Sequence, residues 1–225
     1  MTCLLCCKQQ TKELLINEFW FFHTPRVICA TCLSKFDKVE KQVCRCCSKA
    51  CTVELCDDCR RWQKLYPGYA FKNESLYFYN EAMEEFMQRY KFHGDYRLRF
   101  VFAKRIADKL REYKGWIIVP IPISNERFSL RGFNQVEGLL LASNIRFCSA
   151  LIKPVDRAYQ SHKTKKERLQ ENQPFLLMEK VKSKLCYKKI LFVDDIYTTG
   201  RTLFHAYDAI KKAWPKKVQT FTLAR

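Results

Sequence analysis

Residues 190–203, ILFVDDIYTTGRTL, restrict the fold of this chain more than any other stretch. An apolar run from Ile190 to Val193 stops at two adjacent carboxylates, Asp194 and Asp195. A turn with three threonines and one glycine follows, and then Leu203, Ala206, Tyr207 and Ile210 recur at helical spacing. The order is strand, acidic edge, hydroxyl-rich turn, helix. It sets backbone N–H groups and the positive end of a helix beside Thr198, Thr199 and Thr202, which suits a phosphate. Two carboxylates beside such a cradle suit sugar hydroxyls or a bound Mg2+. The plainer reading is a strand end whose Asp residues cap the next helix. Two acids, three threonines and a glycine within nine residues are more than capping needs.

The stretch resembles the 5-phosphoribosyl-1-pyrophosphate (PRPP) loop of type I phosphoribosyltransferases: apolar run, Asp-Asp, a two-residue gap, then Thr-Thr-Gly-Arg-Thr. The resemblance implies that Asp194 and Asp195 bind the ribose hydroxyls, with Mg2+ accompanying PRPP. It also implies that Thr198, Thr199, Gly200, Arg201 and Thr202 hold the 5′-phosphate.

The 225 residues suffice for one sizeable domain and a small one, and a hydrophobic share of 48% argues against wholesale disorder. The net charge of +18 favours a polyanionic partner: nucleic acid, phosphorylated ligands or an acidic protein surface. The start, MTCLLCCKQQ, lacks a secretory pattern, and the best membrane candidate, residues 14–22, is short and contains Asn17 and Glu18. A cytoplasmic protein without membrane insertion is expected.

In a reducing compartment, thirteen cysteines argue for metal rather than disulfides. Eleven precede residue 60, and four C-x-x-C pairs stand out: Cys3/Cys6, Cys29/Cys32, Cys44/Cys47 and Cys56/Cys59. Two such pairs complete a tetrahedral four-cysteine zinc site, so four pairs make two structural Zn2+ sites. Sequential pairing is the simplest assignment; a crossed arrangement stays open. Cys7, Cys46 and Cys51 are left over, and His23 is a weaker candidate ligand. The expected division is a zinc module over residues 1–62 and an α/β domain over 63–225.

Beyond the cysteines, residues 72–79 read as a strand and residues 81–90 as a helix with Met83, Phe86, Met87 and Tyr90 on one face. A second helix follows, with Leu98, Val101, Phe102, Ile106 and Leu110 inward. Between Arg89 and Lys114 lie nine Lys/Arg and three Asp/Glu, interleaved with Phe92, Tyr96 and Phe100, a pattern able to grip a single strand. Residues 116–123, WIIVPIPI, read as a strand ending in prolines. Residues 124–135 read as a polar loop in which Arg127 and Arg131 are candidates for a diphosphate. A helix over 136–144, short strands over 148–153 and 175–178, and a last strand over 218–224 complete a parallel sheet with helices on both faces.

The combination of C-x-x-C knuckles, KFHGD, VPIPIS, R-x-x-x-RGFNQ and VDDIYTTGRT resembles the ComF family of late competence proteins over nearly the whole chain. That resemblance implies a type I phosphoribosyltransferase-like domain in which VPIPIS is the pyrophosphate-side loop; that Ser124 lies on the pyrophosphate side is implied by the resemblance alone. Residues 154–174 resemble the mobile hood loop that closes over PRPP; Lys163, Lys165, Lys166 and Arg168 are candidate substrate or DNA contacts there, with Gln160 and Asn172 as weaker matches. The implied role is an accessory of natural transformation that handles incoming single-stranded DNA beside a helicase-like ComFA-type translocase, with PRPP or a nucleotide as pocket ligand. The alternative is an active phosphoribosyltransferase using PRPP and Mg2+ on an unidentified acceptor.

Overall fold

The computed structural model describes residues 2–9, 27–40, 42–66, 72–154 and 173–225. The candidates at residues 14–22, at His23 and at Gln160, Lys163, Lys165, Lys166, Arg168 and Asn172 lie outside them.

Four strands form the central sheet: β1 (Asn73–Tyr77), β2 (Ile117–Pro120), β5 (Lys189–Ile196) and β6 (Lys217–Ala224), in the order β1-β6-β5-β2. Every neighbouring pair is parallel. A separate antiparallel pair joins β3 (Leu151–Ile152) to β4 (Leu176–Leu177). The all-parallel sheet explains the unbroken apolar run in β5, because a strand covered on both faces has no polar side. Ile190 and Phe192 enter one hydrophobic cluster with Val218; Leu191 and Val193 enter the other with Phe221.

The second of those faces is covered by α3 (Glu81–Lys91), α4 (Ala103–Leu110) and α6 (Gln135–Ala142). Asn80 starts α3: its Oδ1 accepts the Met83 N–H at 3.1 Å, and its amide donates to the Lys35 carbonyl and to Asp37. Glu81 and Glu84 in the first turn, and Arg89 and Lys91 in the last, suit the helix dipole. Phe102 meets Phe36 and Phe86 edge-on, each at 4.9 Å between ring centroids, and is fully buried. Truncating it to Ala should cost about 3–5 kcal/mol.

The other face is covered by α7 (Glu179–Leu185) and α8 (Arg201–Ile210). The remaining helices are the short α1 (Ala30–Leu33), α2 (Asp57–Leu65) and α5 (Asn125–Arg131). Four sequence expectations change. The short strands expected in the parallel sheet at 148–153 and 175–178 instead pair with each other, antiparallel, as β3 and β4 outside it. The helix expected around Leu98 is a 3-10 turn, Tyr96–Phe100, followed by α4. The expected polar loop after Ser124 contains α5, because Ser124 caps it and Gly132, at φ 79°, stops it. Helix α7 was not expected at all; its seven residues hold only two buried apolar side chains, Val181 and Leu185.

The cysteine-rich region wraps the edge of the sheet. The Lys38 backbone bridges antiparallel to Tyr77, with Val39 N–H donating to the Leu76 carbonyl and Phe78 N–H to that of Asp37. This covers the open edge of β1. Cys3 and Cys32 join the cluster under α3, whereas Cys44, Cys47, Cys56 and Cys59 join the cluster under α8. The two cysteine sets therefore belong to opposite faces. Under the second set lies a buried polar ladder of Asn73, Ser75, Thr220 and Thr222, whose side chains bond one another at 2.7–3.2 Å. Burying such groups is tolerable because each has a partner.

Candidate functional site

Strand β5 runs through both acids, so Asp194 and Asp195 lie on the strand rather than beyond it. They are 8% and 5% exposed. Each Oδ1 accepts a main-chain N–H from the next residue, at 2.9 Å for Asp194 and 2.8 Å for Asp195. The second oxygen of Asp195 forms an ion pair with Lys91, at the end of α3. Burial, and then the charge of Asp195, push the Asp194 carboxyl well above the usual carboxylate range. Lys91 belongs to the KFHGD motif, which the sequence marked without giving it a role.

The loop after β5 has a one-sided hydrogen-bond pattern. Arg225 donates to the carbonyls of Tyr197 (3.1 Å) and Thr198 (2.5 Å), and the Trp62 indole donates to that of Thr199 (2.7 Å). Phe204 N–H donates to the Gly200 carbonyl (3.0 Å). Among the described residues, none accepts from the N–H groups of Thr198, Thr199 or Gly200. Carbonyls are held from behind while three donors stay open at the start of α8, which is the geometry of an anion nest. Gly200 has φ 82°, and a Cβ there would lie 2.2 Å from the Tyr197 hydroxyl, so both backbone and space require glycine. Thr198, Thr199, Arg201 and Thr202 are exposed around this nest. Arg201 also donates to the His205 imidazole at 3.3 Å.

The loop after β2 meets the end of β5: Ile121 N–H donates to the Val193 carbonyl at 2.9 Å. Ser124 Oγ accepts the Arg127 N–H at 3.3 Å and is committed to capping α5. Arg131 donates to the Lys91 carbonyl at 2.9 Å and to the Gln135 side chain. It thereby braces the backbone of the lysine that pairs with Asp195. Arg127 is exposed. Of the two arginines, Arg127 has the accessible guanidinium, and Arg131 is engaged with the protein.

The cysteines gather into two groups, Cys3, Cys6, Cys29 and Cys32, and Cys44, Cys47, Cys56 and Cys59, with one ligand atom of each within 4.8 Å of the others. The pairing is sequential, not crossed. Four thiolates about 2.3 Å from a tetrahedral Zn2+ sit about 3.8 Å apart. The Cys6–Cys29 and Cys47–Cys56 sulfur distances are 3.9 and 3.6 Å, so both groups fit such an ion. The groups are also structural repeats. Cys3 N–H bonds Lys8 O as Cys44 N–H bonds Lys49 O, and Cys7 and Ser48 both take a left-handed backbone, φ 57° and 60°. Cys29 N–H donates to Cys3 Sγ as Cys56 N–H donates to Cys44 Sγ, at 3.4 Å each.

The second group stands directly behind the nest. Arg225 reaches Cys47 Sγ at 3.6 Å while bonding the loop carbonyls, and lies over the Tyr197 ring at 4.8 Å. The Cys47 thiol is drawn down to about 5, mainly by the hydrogen bond from Cys59, with Lys49 N–H and Arg225 adding to it against burial. Trp62 stacks on Phe204 at 3.9 Å, and Tyr66 donates to Asp208. Trp62 and Arg225 escape sequence reasoning because their partners are 137 and 27 residues away, and no local pattern marks them.

Comparison with known proteins places this arrangement. No protein-family model matches the chain. Competence protein ComFC of Streptococcus pneumoniae is 37% identical over 226 residues, covering 100% of both chains. Competence protein ComFC of Bacillus subtilis is 31% identical over 232 residues, covering 100% of this chain and 95% of that one. Competence protein F of Haemophilus influenzae is 26% identical over 161 residues, covering 65% and 69%. Similar solved structures include an allosteric regulatory enzyme of purine biosynthesis, 16% identical over 56% of this chain and 26% of that one, with a TM-score of 0.35. Another is the hypoxanthine phosphoribosyl transferase of Trypanosoma cruzi, 20% identical over 57% and 63%, with a TM-score of 0.32. Scores that low add nothing to the sheet topology. Among the described residues no helix is long and apolar enough to cross a membrane. The similarity to two ComFC proteins spans the whole of this chain, at 37% and 31% identity, and the chain belongs to the ComF family of competence proteins.

Proposed function

We propose that the protein is a cytoplasmic accessory of natural transformation that handles incoming single-stranded DNA beside a helicase-like ComFA-type translocase. Its pocket holds PRPP, a nucleotide or another ribose-phosphate end. The observation that carries the pocket reading is the loop from Tyr197 to Gly200, with every carbonyl bonded and three N–H donors open next to Asp194 and Asp195. In that pocket the loop and the Thr198, Thr199 and Thr202 hydroxyls hold the phosphate, and the two acids accept the ribose hydroxyls. Lys91 already neutralises Asp195, so Mg2+ enters with the diphosphate of PRPP rather than on the acid pair. Zn2+ in the two cysteine groups is structural, since four protein thiolates leave no open coordination position. The proposed functional division is a zinc module over residues 1–62 and a phosphoribosyltransferase-like domain over 63–225.

The test is a melting-temperature titration with PRPP and Mg2+. A rise in Tm that Asp194→Ala abolishes supports the pocket; no rise in the wild type removes it. A second reading, an active transferase, draws on the contact of Ile121 with Val193, which ties the segment leading to Ser124 and Arg127 to the strand that carries the acid pair; in this reading a diphosphate leaves on that side. Pyrophosphate release in the presence of free bases decides for it.

A further inference from the structure

The end of the sheet opposite the acid pair combines three costly features. Strands β5 and β6 start at Lys189 and Lys217, which are partners in register, about 16 Å along the strand from Asp194. Like charges directly opposite in a sheet destabilise it. Tyr187 and Trp214 both take the left-handed backbone, φ 54° and 50°, shortly after α7 and α8 end. Glycine or asparagine ordinarily fills such stops, and an aromatic residue there is strained. Both aromatics are nevertheless turned out, 77% and 74% exposed.

These features form one surface. Tyr187 N–H donates to the Trp214 carbonyl at 3.0 Å, and Lys216 N–H to that of Lys188 at 2.9 Å, so the two segments lie side by side. Residues 184–189 and 211–217 hold seven lysines and no acid. Of these, Lys211 pairs with Asp208. Lys189 and Lys217 flank the Trp116 ring, at 5.9 and 5.8 Å from its centroid. In the stretch between Arg89 and Lys114, Phe92 and Phe100 are exposed, but several of its other groups are engaged within the protein. Arg89 is bound to the Leu4 and Leu5 carbonyls, Arg97 to Asp95, and Tyr96 packs on Phe133.

We infer that Tyr187, Trp214 and the lysines around them form a binding platform for single-stranded nucleic acid. The rings stack on exposed bases, and the lysines follow the phosphates. A duplex hides the base faces that such rings need, so the platform prefers a single strand, with little regard to sequence. The inference deepens the DNA-handling reading by giving it a surface, distant from the ribose-phosphate pocket.

The test is anisotropy of a labelled oligothymidylate titrated with the full chain at several salt concentrations. Tyr187→Asn and Trp214→Asn remove the rings while keeping a residue suited to a left-handed backbone. Each should weaken binding roughly five- to hundredfold. Lys216→Glu with Lys217→Glu should weaken it further and flatten its dependence on salt. Ribose 5-phosphate binding by the same variants should stay at the wild-type level, which checks their fold. Wild-type affinity in the Asn double variant overturns this surface while leaving DNA handling intact. No binding by the wild type at low salt overturns the DNA-handling reading and the platform with it. Retention on phosphatidylglycerol vesicles, lost in the same variants, without oligothymidylate binding, overturns it in favour of a membrane surface.

Discussion

The Trp62 indole donates to the Thr199 carbonyl at 2.7 Å, across 137 residues of sequence. This bond joins α2, which follows directly on Cys56, to the loop that presents open N–H donors. A flexible loop would have to be ordered at the moment a phosphate binds, and that ordering would subtract from affinity. Here Trp62 and Arg225 order it beforehand.

Trp62→Phe isolates that contribution. Phenylalanine keeps the stack on Phe204 but loses the N–H, and a lost hydrogen bond of this kind is worth roughly 0.5–1.5 kcal/mol. Ribose 5-phosphate should bind about three- to tenfold more weakly, with Tm lowered by no more than about 6 °C. Calorimetric titration showing unchanged affinity would mean that the loop holds its shape without the indole.

Asp194→Asn should separate stability from ligand binding. The carboxyl is almost fully buried, beside the charge of Asp195. A neutral amide of the same shape relieves both burdens. The unliganded variant should gain roughly 1 kcal/mol, about 2–4 °C for a chain of this size. It should lose the ribose contacts, so that PRPP no longer raises its Tm. A variant less stable than the wild type would show that the Asp194 charge helps to hold the unliganded fold.

Much of this molecule was legible in the sequence because its signals are local. The parallel sheet followed from the apolar run into Asp194 and from strands separated by helical stretches, and the two cysteine sets followed from C-x-x-C spacing. Helix α5 was missed because its seven residues, NERFSLR, bury nothing, so no apolar period marks them. The duplication of the cysteine modules was hidden by a geometric match, at Cys7 and Ser48 and at Lys8 and Lys49, that identical residues only partly mirror. The ion pair of Lys91 with Asp195 joins residues far apart in sequence, and only the packing of α3 on the sheet brings them together.

Glu74 sets a pH dependence. Burial alone would raise its pKa, but Lys109 and Lys72, at 2.6 and 2.7 Å, outweigh burial and hold it below the ordinary value. In the unfolded chain it titrates near pH 4.3. The folded form therefore binds fewer protons, and the stabilisation is present above about pH 4.3 and lost as pH falls through the lowered folded-state value. Half-exposed partners limit it to on the order of 1 kcal/mol. Urea unfolding between pH 3 and 6 should show Glu74→Gln less stable than the wild type at the upper end and converging with it at the lower. A constant difference across the range would assign the effect to packing.

Metal loss should act differently at the two cysteine groups. The first group lies under α3, on the face away from the nest, and Arg89 links its knuckle to that helix. The second group contacts Arg225, which holds two carbonyls of the nest, and it starts α2, which carries Trp62. Cys6→Ser should lower the bound zinc from two per chain to one and lower Tm, yet leave the affinity for ribose 5-phosphate unchanged. Cys56→Ser should remove the same amount of zinc and also weaken that binding, by more than Trp62→Phe alone, because the arginine and indole anchors loosen together. Elemental analysis, Tm and calorimetric titration on the same preparations separate the cases. Equal losses of affinity in both variants would mean that the nest depends on the whole fold rather than on the module behind it.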